Sequence, residues 1–416
     1  MRLRAQRVMT SMGARQGVIM AGATLVAGGF DYLVNVVIGR MLLPTEFSIF
    51  IAVTALLQVA VHVANVIRNV VAFYTAELTV QPNATAKIGV FLQRRWRWVL
   101  RWGLVGTAVM ALLSPLIARL MGIDSPWPLW AGSLTLFMLF LRPVTDGALQ
   151  GLQRFLGLGT IQVLQAVLRF GLAPLLIWLG LASVGALLSL PLAMAGALLL
   201  ALWLLRGYFG PLSGDEIARP VSWNYSALTL VGLLAFALMV NVDAILVKRL
   251  LGAVIAGDYS PVVTLGKINL FIPLGIGLVF FPKATQRQAA GRDARPVLLL
   301  ALAATLLPGL GLTAVYFLFP GFLVQTIFTN AYADPGLVLG LVGLATTLYA
   351  GVNIWLNYAL SLGRRSYVYG LAFIVILQVA AMLLFPIDLQ TIALIMVTAG
   401  LMANLMGAAT MLRSSI

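Results

Sequence analysis

Apolar runs of about 20 residues recur from Gly17 to Met411, separated by short polar stretches. Each run makes a helix of about 30 Å, the thickness of a bilayer's hydrocarbon core. Lipid offers no partner to backbone N–H and C=O groups, so runs of this length are satisfied only as spanning helices. The sequence predicts twelve: 15–39, 49–74, 98–119, 127–149, 158–180, 184–205, 223–247, 258–282, 296–318, 335–361, 367–385 and 389–411. The fold class is therefore an all-α polytopic membrane protein. The basic N-terminus followed by an apolar run is laid out like a signal peptide, but the run is too long and lacks a small-residue cleavage site. It reads as the first span.

A net charge of +15 would suit nucleic acid, yet its placement along the chain argues otherwise. With the N-terminus inside, 19 of the 27 Lys and Arg fall in cytoplasmic segments and 4 in outer ones, the latter being Arg40, Arg119, Lys248 and Arg249. This is the positive-inside asymmetry of a membrane protein with both termini in the cytoplasm. The basic excess reports topology and contact with anionic lipid, with no nucleic acid as partner. With no cysteine and one histidine, neither a thiolate nor a multi-histidine metal site is expected. No loop carries an acid–base constellation, so no catalytic residue is assigned.

The segment Arg206–Pro220 divides the chain into an N-terminal half (1–206), a cytoplasmic linker (207–222) and a C-terminal half (223–416), each half holding six spans. The halves echo one another. Arg249 lies 209 residues after Arg40, Tyr259 lies 209 after Phe50, and Arg364 lies 210 after Arg154. Constant spacing and an even span count predict a parallel repeat about the membrane normal, a plan that puts a transport site between halves.

The remaining four cations, Arg68, Arg142, Arg169 and Lys267, sit inside predicted spans. A charge at the centre of a span costs roughly 2.5–3.5 kcal/mol, so four point to a shared hydrated cavity suited to an anion. Polar residues accompany them at helical spacing. Span 2 carries Gln58, His62, Asn65 and Asn69; span 4 carries Arg142, Asp146 and Gln150; span 5 carries Gln162, Gln165 and Arg169. Polar side chains also bond neighbouring helices together, which is the plainer role for Asn35, Asn241, Asn353 and Gln378. Arg142 and Asp146 stand one turn apart and can neutralise each other, whereas Arg169 and Lys267 have no acid nearby in sequence. The candidate substrate-binding set is Arg68, Arg142, Arg169, Lys267, Asn65 and Gln165. Asp31, Asp243 and His62 are candidate ion-coupling residues, or partners for a cavity Arg. Gly28-Gly29, Pro174, Pro191, Pro273, Gly275 and Gly277 are candidate bending points.

Two segments carry a family resemblance. Gly39-Arg-Met-Leu-Leu-Pro-Thr-Glu-Phe-Ser-Ile-Phe50 resembles the span 1–2 junction of the polysaccharide flippases of the MOP superfamily, the Wzx type, with Ser48 where that pattern has Gly. Gly147-Ala-Leu-Gln-Gly-Leu-Gln-Arg-Phe155 resembles the segment after span 4 in the same proteins. The resemblance implies a V-shaped MOP/MATE-like bundle with alternating access and a central cationic cavity. It implies export of an undecaprenyl-diphosphate-linked oligosaccharide across the bacterial inner membrane. Implied partners are that polyprenyl-diphosphate-linked glycan, membrane lipids and other polysaccharide-assembly proteins. No cofactor is implied, and the driving force would be the membrane potential, H+ or Na+. Two other readings stay open: a MATE-like multidrug or cation antiporter, which would favour acids in the cavity, and a membrane glycan polymerase or glycosyltransferase, which would need an aqueous catalytic loop.

The topology predicts that cysteines placed at Ala86, Gln288 and Ser414 face the cytoplasm and those at Ser125 and Ala331 face outward. Labelling of position 86 by an impermeant thiol reagent in intact cells would overturn it.

Overall fold

The computed structural model describes residues 2–209, 223–270, 295–362, 364–385 and 388–412. Among these residues the chain is helical, with no strand. In order the helices are α1 (Arg2–Met41), α2 (Pro44–Thr79), α3 (Ala84–Leu120), α4 (Trp127–Gly151), α5 (Phe155–Leu176), α6 (Ala182–Leu205), α7 (Trp223–Leu250), α8 (Gly252–Gly266), α9 (Arg295–Leu318), α10 (Pro320–Ile327), α11 (Leu337–Ser361), α12 (Arg365–Leu384) and α13 (Leu389–Leu412). All but α10 match predicted spans; α10, of 8 residues, is too short for apolar periodicity to announce it. Nine described segments are long and apolar enough to cross a membrane, with α5 and α6 counted as one continuous stretch. The second half of the predicted span 258–282, with Pro273, Gly275 and Gly277, lies outside the described residues. So do Gln288, Ser414, Arg219, Lys283, Arg287, Arg292 and most of the 207–222 linker.

Turn chemistry sets the helix ends. α3 closes with Gly122 at φ 66°, its N–H donating to Arg119 and that of Ile123 to Ala118, the paired bonds of a Schellman cap. Gly180 (φ 86°) turns the chain between α5 and α6, and Gly252 (φ 87°) does so between α7 and α8. Asp388 accepts from the Thr391 N–H at 2.7 Å, capping α13. That bond holds the Asp388 carboxyl below its ordinary range. The helices run through Gly28-Gly29, Pro174 and Pro191, so these positions do not interrupt α1, α5 or α6.

The described chain forms two compact units. Unit 1 holds residues 1–34, 63–116 and 125–220; unit 2 holds 35–62, 117–124 and 221–416. This division differs from the sequence halves 1–206 and 223–416, because α1 passes from unit 1 into unit 2, α2 passes from unit 2 back into unit 1, and the end of α3 falls in unit 2. The core of unit 1 joins Val71 of α2, Phe91, Leu92 and Val99 of α3, Val144 and Leu149 of α4, Ile161 of α5 and Ala201 of α6. In unit 2 the α1–α2 turn is embedded among later helices. Phe47 packs on Phe50, Phe328 and Tyr332. Arg40 donates to the carbonyls of Thr326 (2.6 Å) and Ile327 (2.8 Å), satisfying the open C-terminus of α10. The Tyr332 hydroxyl donates to the Gly39 carbonyl at 2.5 Å. Burial, with a smaller push from Asp258, raises the Tyr332 phenol well above its ordinary value.

The 210-residue spacing reappears in backbone geometry. α4 ends at Gly151 and α11 at Ser361; α5 starts at Phe155 and α12 at Arg365. The N–H of Arg154 donates to Leu149 at 2.9 Å, and that of Arg364 donates to Ala359 at 2.9 Å. Leu152 to Ala148 and Leu362 to Tyr358 repeat the same pairing.

The Gly147–Gly151 segment has a packing reason. A Cβ on Gly147 would meet the Arg68 carbonyl at 2.5 Å and Val71 at 2.9 Å; one on Gly151 would meet the Ala72 carbonyl at 2.5 Å. The two glycines stand four apart and bring the α4 and α2 backbones together, the small-x-x-x-small contact of membrane helices. Gly147→Leu and Gly151→Leu should each cost about 1–3 kcal/mol through overpacking. Gly171→Leu, with open space around it, should cost little. Thermal melts of the purified protein in detergent test this; three equal melting temperatures would refute the contact.

Candidate substrate site

In unit 1 the structure gathers the polar stripes of α2, α4 and α5. Arg142 is buried, 6% exposed. Its Nη2 lies 3.0 Å from Asp146 Oδ2, its Nε is 3.4 Å from Asp146 Oδ1, and its Nη1 donates to Gln165 Oε1 across to α5. The i, i+4 spacing of Arg142 and Asp146 puts both on one face of α4, so the pair forms locally. Arg68 of α2 is electrostatically close to both, attracted by Asp146 and repelled by Arg142. Its Nε is buried with no hydrogen-bond partner among the described residues, and no ion pair reaches it there.

The polar face of α5 continues toward α1. Arg169, also 6% exposed, donates from Nη1 to Asp31 Oδ1 at 2.9 Å. Thr24 donates to Gln162 Oε1 at 3.5 Å, and Phe30 meets Phe170 edge to face at 5.6 Å. Gln162, Gln165 and Arg169 therefore bind Thr24, Arg142 and Asp31 in turn. Arg169 has no acid nearby in sequence, and its partner Asp31, one of the two acids offered as a partner for a cavity Arg, comes to it from 138 residues away in the chain. Desolvation drives the pairing, since an uncompensated guanidinium among apolar helices costs more than the entropy of aligning two side chains.

Unit 2 holds Lys267, whose neighbours are likewise distant in sequence. Its Nζ donates to Asn241 Oδ1 at 2.8 Å, and Asp243 is close enough to attract it. α8 stops at Gly266, and Lys267 opens a 3₁₀ turn that runs to Leu270. Asp243 is buried and accepts from the Tyr259 hydroxyl at 2.8 Å. The plainer role holds for Asn241 and Gln378, which donate to the Ala237 and Met239 carbonyls. Asn353 accepts from Asn357 one turn along α11. His62 and Asn65 are half-buried on α2, while Gln58 and Asn69 are exposed.

Sequence reasoning missed one buried cation. Lys248, counted there with the outer loops, is 3% exposed and donates to Ser48 Oγ at 2.9 Å, near Glu46 and Asp124. The signal that would have found it is Ser48 itself, which departs from the glycine of the resembling family.

With this geometry in hand, the chain was compared with known proteins. No protein-family model and no curated protein sequence matches it. Solved structures do. The inward-facing conformation of a multidrug-resistance MATE transporter of the MOP superfamily aligns over 96% of this chain and 100% of its own, with TM-score 0.70 and 12% identity. The chain shares the fold of that transporter. The lipid II flippase MurJ, in an inward closed conformation, aligns over 94% of this chain and 87% of its own, with TM-score 0.69 and 11% identity. A MOP transporter from Pyrococcus furiosus, described as having a binding pocket of reversed polarity, aligns over 95% and 94% with TM-score 0.57 and 15% identity. The fold and the apolar helices make this a multi-pass membrane protein.

Asp31→Ala should destabilise unit 1 by about 1–3 kcal/mol, because it leaves the Arg169 charge buried and unmatched; the exposure of Asp31, 40%, keeps the figure below that of a fully buried pair. The double variant Asp31→Leu/Arg169→Leu should recover most of the loss. Thermal denaturation in detergent reads both, and a single variant as stable as wild type would discount the pair.

Proposed function

We propose that this protein is a flippase that exports a polyprenyl-diphosphate-linked oligosaccharide, of the undecaprenyl type, by alternating access. The observation that carries the reading is Arg68. Asp146 neutralises Arg142 and Asp31 neutralises Arg169, so of the three arginines on these polar stripes Arg68 is left without an ion pair among the described residues, and its Nε is a buried donor with no partner there. A buried donor left open in a folded protein asks for a ligand. A diphosphate oxygen satisfies both its charge and its fork geometry. The amide of Gln165, the nearby Asn65 and the other polar groups of the stripe suit sugar hydroxyls, while the prenyl tail stays in the bilayer.

Multidrug or cation antiport on the same fold needs an acid open to a cation. Asp31 and Asp146 are instead engaged by arginines; Asp243 accepts from Tyr259 through Oδ2 and, although its Oδ1 has no hydrogen-bond partner among the described residues, it already has the Lys267 cation close by. The neighbour that handles lipid II supports lipid-linked cargo for this chain. A location in the bacterial inner membrane with both termini cytoplasmic belongs to the same proposal.

Arg68→Ala should lower glycan export at least tenfold with membrane abundance unchanged, and Arg68→Lys should fall between it and wild type. Undiminished export by Arg68→Ala would remove the argument. A cargo with two negative charges gains about 4.6 kcal/mol per 100 mV of inside-negative potential, roughly two-thousandfold at equilibrium. Export into vesicles clamped with valinomycin and potassium, at equal pH and sodium, should therefore rise with potential. Flux that ignores potential and follows a pH or sodium gradient would shift the driving force to Asp31, Asp243 or His62.

A further inference from the structure

Around α5, within unit 1, three surfaces follow one another. Leu156, Thr160, Val163 and Val167 recur at three- and four-residue steps and line an apolar groove of about 450 Å³, with Ala23 of α1 at its edge. The Thr160 hydroxyl donates to the Leu156 carbonyl of its own helix at 2.9 Å, so the groove wall stays apolar. Gln162, Gln165 and Arg169 make the polar stripe. At about 100° per residue the two stripes stand about 160° apart round the helix, with Gly159 and Phe170 on the arc between them. That arc is the seam with α1. Ala23 covers Gly159, where an added Cβ would meet it at 2.9 Å; Thr24 donates to Gln162 at 3.5 Å; Phe30 meets Phe170 edge to face at 5.6 Å; and Asp31 accepts from Arg169 at 2.9 Å. These four residues share one face of α1, while Leu25, Val26 and Leu33 on the opposite face are exposed. α1 therefore stands between the groove and the polar stripe.

We propose that the seam between α1 and α5 is where the polyprenyl chain of the cargo crosses into unit 1, and that the groove seats this chain while the diphosphate passes to the polar stripe. The proposal rests on the flippase reading and adds the place of the tail. Chain and diphosphate belong to one molecule, so its binding surface must set an apolar part beside a cationic one, and on α5 these two parts are divided by α1. Parting the seam makes them continuous. Arg169 favours that step, because its buried Nε has no partner among the described residues and can donate to a phosphate oxygen as Nη1 leaves Asp31. The groove opens to the bilayer, so the chain stays in apolar surroundings throughout.

Three measurements on the full chain in vesicles test this. On illumination, a polyprenyl-diphosphate glycan with a diazirine in its prenyl chain should label residues 23–31 and 156–167, whereas phosphatidylglycerol with a diazirine in an acyl chain should label exposed faces generally, that of Leu112 included. Thr160→Trp/Val163→Trp, which fills the groove, should lower export about tenfold with membrane abundance and melting temperature unchanged, and Leu112→Trp should match wild type. Because the chain has no cysteine, Thr24→Cys/Gln162→Cys offers dibromobimane a single pair to bridge. The bridged protein should lose export by a similar factor, and either single variant treated alike should keep it. Wild-type labelling stands as a test even where a variant fails to accumulate. A prenyl probe that labels as the phospholipid does, or full export by the groove-filled or the bridged protein, overturns the proposal and leaves the flippase reading in place where export still needs Arg68. A wild-type protein that neither exports the glycan nor takes the prenyl label overturns both.

Discussion

Arg142, held by its own helix's Asp146 and by Gln165 from the next, is the contact that organises the polar interior of unit 1. Three helices surround it that are otherwise made for lipid, and a guanidinium among them must be met from every side. Asp146 supplies the charge and Gln165 ties α5 to α4. With α5 oriented in this way, Gln162 and Arg169 point to α1 and engage Thr24 and Asp31. What remains without an ion pair in this cluster, among the described residues, is Arg68, because its neighbours have neutralised one another.

The same region shows how packing and chemistry share a helix. Gly147 and Gly151 let α4 approach the backbone of α2 between Arg68 and Ala76, and the glycine contact falls on Arg68's own carbonyl. The backbone that carries the Arg68 side chain is thereby held by main-chain contact. Asp146, the residue before Gly147, reaches the polar cluster from the same turn. Packing on one side of that turn and electrostatics on the other are set together.

Much of the fold was legible because it is local. Twenty apolar residues demand a helix wherever they occur in a membrane chain, and eleven of the twelve predicted spans agree with described helices within a turn or two at most ends. The longer excess falls at the starts of α1 and α3, whose polar first turns lie ahead of the apolar run. The α5 stripe was legible from its spacing, and so was the Arg142–Asp146 pair one turn apart. Partners distant in sequence were not. Asp31 reaches Arg169, and Asp243 comes close to Lys267, only through packing that no window of sequence contains. The burial of Lys248 was hidden for the same reason: counting charges places it with the outer segments and says nothing of Ser48, its acceptor 200 residues earlier. The division into units was equally hidden, since it depends on which helices the α1–α2 turn packs against.

That turn has a consequence for the history of the molecule. By chain order Gly39–Phe50 belongs to the first of two repeated halves, yet its aromatic and polar side chains are satisfied by residues of the second. A first half made alone would expose Phe47 and strand Arg40, and the second would carry Lys248 without its acceptor. Whatever duplication produced the 210-residue rhythm, the copies have since become mutually dependent. Chimeras that exchange whole halves with a relative bearing glycine at position 48 would inherit an unsatisfied lysine, so the two halves are bound to diverge as one piece.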